Sequence, residues 1–150
     1  MNRNRKFLAV ISATLLWLSS GSAIAAEPAF VVGTDATDLQ WGPCPEFFPV
    51  GCQIAVLHGD PGKANADIFF KVPAGYTIPP HTHTSAERMV LVSGTLRVNY
   101  DGQDEAVIQT GNYAYGPPER PHEAYCETGD ACILFIAFEQ PIDAFPLKKP

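Results

Sequence analysis

Turn-forming residues break the chain every eight to twelve residues from Gln53 onward, and only short apolar or alternating runs lie between the breaks. The breaks are rich in glycine and proline, as at 58–62, 73–75 and 101–102. Runs of about four to eight residues bounded in this way are typical of strands, whereas helices need longer stretches. Together with 14 prolines and few helix signals, this rhythm predicts an all-β fold, either a barrel or a sandwich.

Eight strands are predicted between these turns. The fourth shows the clearest alternation, because Leu96, Val98 and Tyr100 face one way and polar residues face the other. The Asp101-Gly102 pair that follows it indicates a hairpin with the next strand. The last two strands, on either side of 127–131, are predicted to form the final hairpin. The predicted strands are 53–57, 67–72, 88–92, 95–100, 105–109, 112–115, 122–126 and 132–138.

The segments on either side of these strands have a different composition. Residues 27–52 are rich in proline, glycine and aspartate, and are predicted to form an extended N-terminal arm with one short strand at 30–32. Residues 53–140 form the predicted barrel. Residues 141–150 contain three prolines and are predicted to pack as an extended C-terminal tail.

The first 26 residues have the composition of a secretory signal peptide. Arg3, Arg5 and Lys6 precede an apolar run of 12 residues at 7–18, and Ala23-Ile24-Ala25 is typical of a cleavage site. A retained membrane anchor is the alternative. Twelve helical residues span only about 18 Å, however, against a hydrocarbon core of roughly 30 Å. The sequence therefore predicts an exported protein, periplasmic or secreted, with no membrane attachment after cleavage.

The mature chain is strongly acidic. Removing Arg3, Arg5 and Lys6 leaves 7 basic residues against 16 acidic ones, so the formal charge changes from −6 to −9. Nucleic acids and anionic membrane surfaces both attract basic proteins, so neither is expected as a partner. A small organic ligand or substrate remains compatible with this charge, because the electric field inside a pocket is local.

All four cysteines lie in the mature chain. An even number of cysteines in an exported protein favours two disulfides, which can connect in three ways. The local pairs Cys44–Cys52 and Cys126–Cys132 are preferred, because each pair flanks a short turn. A redox thiol or an extra metal ligand at Cys126 is the functional alternative. Paired thiols oxidise readily outside the cytoplasm, which favours the structural interpretation.

Two sequence patterns contain three of the four histidines. The first, G-Y-T-I-P-P-H-T-H-T-S-A-E, includes His81 and His83 and ends at Glu87. The three positions are all odd, so on a strand their side chains would share one face. The second pattern, G-N-Y-A-Y-G-P-P-E-R-P-H, ends at His122. Two imidazoles and a carboxylate joined by a third imidazole make a suitable site for a divalent transition metal.

The first pattern resembles the first motif of the cupin superfamily. That motif is a glycine, five residues, H-x-H, three or four residues, a glutamate, six residues and a glycine. The chain meets it at every position, with Gly75, His81, His83, Glu87 and Gly94.

The second pattern resembles the second cupin motif with two departures. Gly111, Pro117 and His122 stand at the expected positions. Glu119 stands where the family has a glycine, which concerns the turn geometry, and Cys126 stands where it has an asparagine, which concerns a contact behind the ligands. The double motif is highly specific, and the resemblance covers nearly all of the mature chain.

The resemblance implies a fold and a metal site. The fold is a small jelly-roll β-barrel with one metal inside, bound by His81, His83, Glu87 and His122. The ion is a divalent transition metal, and the sequence does not distinguish Fe, Mn, Ni, Cu and Zn. Pairing into a homodimer is also common in the family. A cluster of hydrogen-bonded histidines without metal is the alternative interpretation, and four ligand positions at this spacing disfavour it.

The resemblance also implies a range of activities. Cupins with this ligand set include dioxygenases, decarboxylases and isomerases, and dioxygenase-like oxidation of a small enolisable or phenolic compound is favoured here. The catalytic residues are unknown. A non-catalytic cupin that binds or senses a metal or a small ligand is the main alternative. A structural zinc site is weaker, because such sites favour thiolates and the cysteines lie outside the ligand pattern.

Four further residues have side chains that could contribute to the site. His58 precedes the turn 59–62 and is predicted to lie at the surface. Tyr76, Tyr113 and Tyr115 are either hydrogen-bond donors to a ligand or packing residues with solvated hydroxyls. The amphipathic character of tyrosine favours packing.

Overall fold

Strands are the only regular elements between residues 26 and 147, the part of the chain described by this computed structural model. No helix in that range is long and apolar enough to cross a membrane. The predicted signal peptide lies outside it except for Ala26. The strands are β1 (Trp41–Pro43), β2 (Gln53–His58), β3 (Ala66–Val72), β4 (Thr77–Thr82), β5 (Glu87–Ser93), β6 (Thr95–Tyr100), β7 (Ala106–Gln109), β8 (Tyr113–Gly116), β9 (His122–Cys126), β10 (Cys132–Phe138) and β11 (Phe145–Pro146).

The strands form two antiparallel sheets. One sheet has six strands in the order β1-β2-β3-β10-β5-β8, and the other has five in the order β11-β4-β9-β6-β7. Apolar side chains from both sheets make one core, with Leu91 and Leu134 from the first and Leu96 and Val98 from the second. Burying one such side chain contributes roughly 1.5–3 kcal/mol. The predicted all-β jelly-roll fold is confirmed.

All eight predicted strands are present. Three of them, β6, β9 and β10, begin and end at the predicted residues, and the others differ by one residue at one or both ends. The alternation in β6 is confirmed, because Leu96, Val98 and Tyr100 are buried and the polar residues between them are exposed. The predicted hairpin after Asp101-Gly102 is present as the β6–β7 pair.

The predicted short strand at 30–32 is wrong. Val31 is fully exposed, at 102% of its reference accessibility, so it has no apolar surface to pack against. The strand of the arm is β1 instead, which pairs with the edge of β2 through Trp41 and Ala55. The division of the chain into arm, barrel and tail remains a prediction.

Strand β4 was not predicted, because Pro79 and Pro80 resemble a turn. Proline lacks an N–H donor and is confined to strand edges or bulges. In β4 the pairing with β9 shifts register between Ile78 and His81, and both prolines lie in that irregularity. The strand therefore tolerates the prolines and still delivers His81 to the sheet.

The predicted final hairpin is also wrong. β9 belongs to the five-stranded sheet and β10 to the six-stranded sheet, so the two strands do not pair with each other. The predicted disulfide Cys126–Cys132 is present, with a Cα–Cα distance of 5.8 Å. It therefore joins one sheet to the other. The second predicted disulfide, Cys44–Cys52, is present with a Cα–Cα distance of 5.5 Å.

Several turn positions have a left-handed backbone, Gly94 and Glu119 among them. Gly94 has φ of 85°, and a Cβ there would lie 2.9 Å from the Cys132 sulfur, so only glycine fits. Glu119 has φ of 60° although it is not a glycine. It keeps the turn geometry of the second motif, and its backbone N–H donates to the carbonyl of His83 over 2.8 Å. Such a backbone costs about 1–3 kcal/mol in a non-glycine residue.

Candidate metal centre

Three imidazoles and one carboxylate meet between the two sheets. His81 on β4 and His122 on β9 are register partners. His83 follows the end of β4, and Glu87 begins β5 in the opposite sheet. The ring centroids of His81 lie 4.2 Å from those of His122 and 4.7 Å from those of His83. The structure thus brings together all four residues that the sequence selected.

The path of the chain between these residues differs from the sequence prediction. His81, His83 and Glu87 were expected to share one face of a strand, but β4 ends before His83 and the chain crosses between the sheets before Glu87. The buried Ser85 holds this crossing, because its hydroxyl accepts hydrogen bonds from two backbone N–H groups, of Glu139 (3.0 Å) and of the next residue (3.1 Å). The crossing brings the carboxylate to the imidazoles from the other sheet.

Each imidazole is oriented by a backbone carbonyl at Nδ1. A carbonyl oxygen can only accept, so each Nδ1 carries the proton. In a neutral ring the lone pair is then at Nε2. Second partners of this kind fix the tautomer and ring orientation of histidine ligands. The three bonds are His81 to Pro79 (2.7 Å), His122 to Arg120 (3.1 Å) and His83 to Asp143.

The free ring nitrogens lie close together, and those of His83 and His122 lie near the carboxylate. One nitrogen from each ring lies within 4.8 Å of the others. Glu87 Oε1 lies 3.4 Å from His83 Nε2, and its Oε2 lies 3.5 Å from His122 Nε2. His83 Nε2 is buried and has no hydrogen-bond partner. A buried polar atom without a partner costs roughly 1–3 kcal/mol, so this arrangement has the donor set and the unsatisfied lone pair that a cation would complete.

Burial controls the protonation of the cluster. Burial, with smaller effects from the charges of His122 and His83, lowers the pKa of His81 to about 3. Burial also lowers the pKa of His83 and of His122. The histidines are therefore neutral at neutral pH, as metal ligands must be. Burial raises the pKa of Glu87 to about 7, against the opposing effect of His122.

The cluster forms part of the wall of a cavity of about 120 Å³. Most of the lining consists of isoleucine, leucine, valine and phenylalanine side chains from both sheets. Polar groups are few, and no lysine or arginine is among the lining residues. The cavity is thus an apolar chamber with its polar chemistry concentrated at the histidines.

The segment 140–147, named here the C-terminal strap, contacts the histidine cluster and contributes to the cavity wall. Its strand β11 pairs with β4, with Pro146 opposite His81. The Asp143 carboxylate accepts hydrogen bonds from the N–H of Thr84 (2.9 Å) and from its hydroxyl, and the Asp143 carbonyl accepts from His83 Nδ1. The strap therefore orients one of the four site residues, a role that the extended tail predicted from sequence did not include.

The loop Cys44–Cys52, named here the N-terminal disulfide loop, forms another part of the wall. Pro45 and Phe48 line the cavity. The ring of Phe48 lies 5.4 Å from that of His81, and the ring of Phe47 lies 6.1 Å from it. Sequence reasoning missed this contribution, although the adjacent phenylalanines between two cysteines were visible.

The tyrosine that lines the cavity is not one of the three that were candidates from the sequence. Tyr113 and Tyr115 are 63% and 52% exposed, and Tyr76 donates its hydroxyl hydrogen to the carbonyl of Pro49. None of these three lines the cavity, but Tyr100 does. The sequence could have indicated Tyr100, because this residue lies on the inward face of the alternating strand β6. His58, the last residue of β2, is exposed and does not line the cavity.

The family model described as ChrR Cupin-like domain matches residues 30–141. Among curated proteins, no sequence match was found.

Solved structures share the fold at low sequence identity. A DMSP lyase, DddQ from Ruegeria pomeroyi DSS-3, is 18% identical with a TM-score of 0.60, covering 73% of this chain and 60% of that chain. An RmlC-like cupin from Shewanella frigidimarina NCIMB 400 is 22% identical with a TM-score of 0.60, covering 77% and 93%. An oxalate decarboxylase from Bacillus subtilis is 16% identical with a TM-score of 0.60, covering 73% and 30%. This chain thus spans about three fifths of the lyase and less than a third of the decarboxylase, and the likeness shows the fold alone.

Proposed function

The chain belongs to the ChrR cupin-like family, and from that premise we propose that it is an exported metalloprotein that acts on a small organic molecule. One divalent transition metal is held by His81, His83, Glu87 and His122. The molecule occupies the adjoining apolar cavity.

The arrangement of the imidazoles is the observation that carries this proposal. Three Nδ1 atoms are bound to carbonyls, so each neutral ring has its lone pair at Nε2. The Nε2 atoms of His83 and His122 lie 3.4 and 3.5 Å from the buried carboxylate of Glu87. A cation at their centre would satisfy the lone pairs of His83 and its neighbours and favour the ionised form of Glu87. Hydrogen-bonded structural histidines would instead show a partner at both ring nitrogens.

The proposed reaction is a dioxygenase-like oxidation of an enolisable or phenolic compound. A bound transition metal would supply redox or Lewis-acid chemistry to an oxygen group of that compound. The protein contributes the orientation of its ligands, through Asp143 and two other carbonyl acceptors, and an apolar chamber that limits water. Four protein ligands would leave one position open on a five-coordinate metal and two on a six-coordinate one.

A non-catalytic binding or sensing module is the second candidate, and one observation favours it. Apart from the four site residues, Asp143 is the only charged side chain among the described residues that line the cavity. Its carboxylate is already engaged by Thr84. The cavity therefore offers no free carboxylate or lysine as a separate general acid or base.

Export is part of the proposal. Disulfides persist in oxidising compartments and are rare in the cytosol, and the described chain has two, Cys44–Cys52 and Cys126–Cys132. They agree with the predicted signal peptide and with a periplasmic or secreted location.

The test begins with the metal content of protein purified from its own export pathway. We expect close to one divalent transition metal per chain after dialysis against a weak chelator. Oxygen uptake is then measured with a panel of enols, phenols and thiols. Uptake with an enol or a phenol supports the enzyme, while tight ligand binding without turnover supports the binding module. Wild-type protein that loads no divalent metal would refute both.

A further inference from the structure

The hydroxyl of Tyr100 is a buried polar group without a partner. The residue is 8% exposed, and its oxygen makes no hydrogen bond in the described part of the chain. The Tyr100 ring lies beside His122, with centroids 5.1 Å apart and planes at 37°. An unsatisfied buried hydroxyl costs roughly 1–3 kcal/mol, a cost that phenylalanine would avoid.

The Tyr100 hydroxyl lies close to Gly116. A Cβ at Gly116 would lie 2.9 Å from the Tyr100 hydroxyl and 3.1 Å from Glu87 Oε2. The hydroxyl and the carboxylate thus both approach Gly116, and the missing side chain at 116 leaves the hydroxyl the room to lie beside the carboxylate. A group that enters the cavity near Glu87 would therefore come within reach of the hydroxyl.

The remainder of the cavity is suited to an apolar body. Its lining away from the histidines is formed by side chains such as Ile68, Val98 and Leu134, with no cationic side chain. A dry cavity of roughly 150 Å³ lined in this way binds benzene, and the volume here is about 120 Å³. A second charged group at the apolar end would lose its hydration without gaining a partner.

We infer that the site selects a small, mainly apolar molecule with a single oxygen-containing head group, and that Tyr100 donates a hydrogen bond to that head group. The inference rests on the proposed metal site and names its ligand class. Phenols, enols and short monocarboxylates belong to this class. Dicarboxylates and phosphorylated sugars do not.

The role of Tyr100 is tested with phenol as the probe. Binding is measured by calorimetry for wild type, Tyr100→Phe and the exposed control Tyr113→Phe, each loaded with cobalt and again after treatment with a chelator. We expect Tyr100→Phe to weaken phenol binding about 5- to 10-fold, the effect of one hydrogen bond. Its metal content should equal that of wild type, and its melting temperature should not fall. Tyr113→Phe should match wild type in all three.

The ligand class is tested with butanoate and succinate, which share one carboxylate and differ in a methyl group against a second carboxylate. Butanoate should bind at least 10-fold more tightly. Equal affinities of the two acids, or equal phenol affinities of wild type and Tyr100→Phe, would overturn the inference. Metal content is measured on the same samples. Protein that holds no metal but still binds phenol through Tyr100 would refute the metal site and support the ligand class.

Discussion

The two disulfides are alike in sequence and different in surroundings. Cys44–Cys52 joins residues 8 apart and Cys126–Cys132 joins residues 6 apart. The first closes the loop that places Phe48 against His81 and in the cavity wall. The second lies four residues along β9 from His122, about 13 Å away at the usual rise of a strand, where it joins the two sheets.

This difference separates two functions of the same covalent bond. In the chain-entropy estimate, closing either short loop stabilises the fold by about 2–3 kcal/mol, mainly through the unfolded chain. Only the first bond also restrains side chains that touch the candidate metal site. The Cys126–Cys132 disulfide should therefore affect stability alone. The Cys44–Cys52 disulfide should affect both stability and ligand binding at the site.

Removing each disulfide tests the comparison directly. The double variants Cys44→Ser/Cys52→Ser and Cys126→Ser/Cys132→Ser should each lose about 2–3 kcal/mol of unfolding free energy in denaturant titrations. The second should lose more, because both of its sulfurs are fully buried. Phenol affinity at equal metal loading should fall only in the first. A fall of the same size in both would show that the two ends of the barrel are coupled.

Glu87→Gln shows how much metal affinity is lost when one candidate ligand is changed. The change keeps the size of the side chain but removes the charge, so metal affinity should fall about 10- to 100-fold. His58→Gln, an exposed residue at the end of β2, is the matched control and should keep wild-type metal content after dialysis against a chelator. If the control loses metal as strongly as Glu87→Gln, the site assignment is wrong.

In metal-free protein, the loss of stability in acid should depend on the candidate metal site and not on the Cys126–Cys132 disulfide. Burial lowers the pKa of His81 to about 3 in the folded state, against about 6.5 in an unfolded chain. Below pH 6.5 the unfolded chain therefore binds a proton that the folded chain does not, and stability falls as the pH falls. The loss is up to about 1.4 kcal/mol per pH unit for each histidine that stays neutral, and the pKa of His83 and His122 are lowered too.

Glu87 opposes this loss. Burial raises its pKa to about 7, so between about pH 7 and pH 4.5 the folded state binds the extra proton and stability rises as the pH falls. Glu87→Gln removes the opposing contribution and should steepen the acid loss measured by denaturant titration from pH 7 to pH 5. The Cys126→Ser/Cys132→Ser variant should keep the wild-type slope at lower stability. A Glu87→Gln slope shallower than wild type would contradict the assigned pKa directions.

Glu119→Gly should have the smallest effect and the opposite sign. The substitution relieves the left-handed backbone and should stabilise the protein by about 1 kcal/mol, after the entropy cost of glycine in the unfolded chain is subtracted. Asn65→Gly is the matched control, because Asn65 has a similar φ of 64° but asparagine tolerates it better. Thermal unfolding of both variants measures the difference. Destabilisation by Glu119→Gly would mean that its side chain has a role in the turn.

Local pattern was enough to predict eight of the eleven described strands, the β6–β7 hairpin and the four residues that meet at the candidate metal site. In β6 alternating apolar residues mark the inward face, because side chains on a strand repeat with period two. The spacing of the two motifs identified His81, His83, Glu87 and His122 as a set. The disulfides followed for the same reason, since each pair lies within one turn.

Tertiary structure decided everything that depends on distant parts of the chain meeting. β9 and β10 are neighbours in sequence, but they join different sheets because each finds its partners elsewhere. The carbonyl that orients His83 comes from Asp143, 60 residues away, and the left-handed Glu119 is held by its bond to His83. The hydroxyl of Tyr100 is buried without a partner only because the two sheets pack around it. Strand periodicity is a local property, whereas these contacts depend on which surfaces the folded chain brings together.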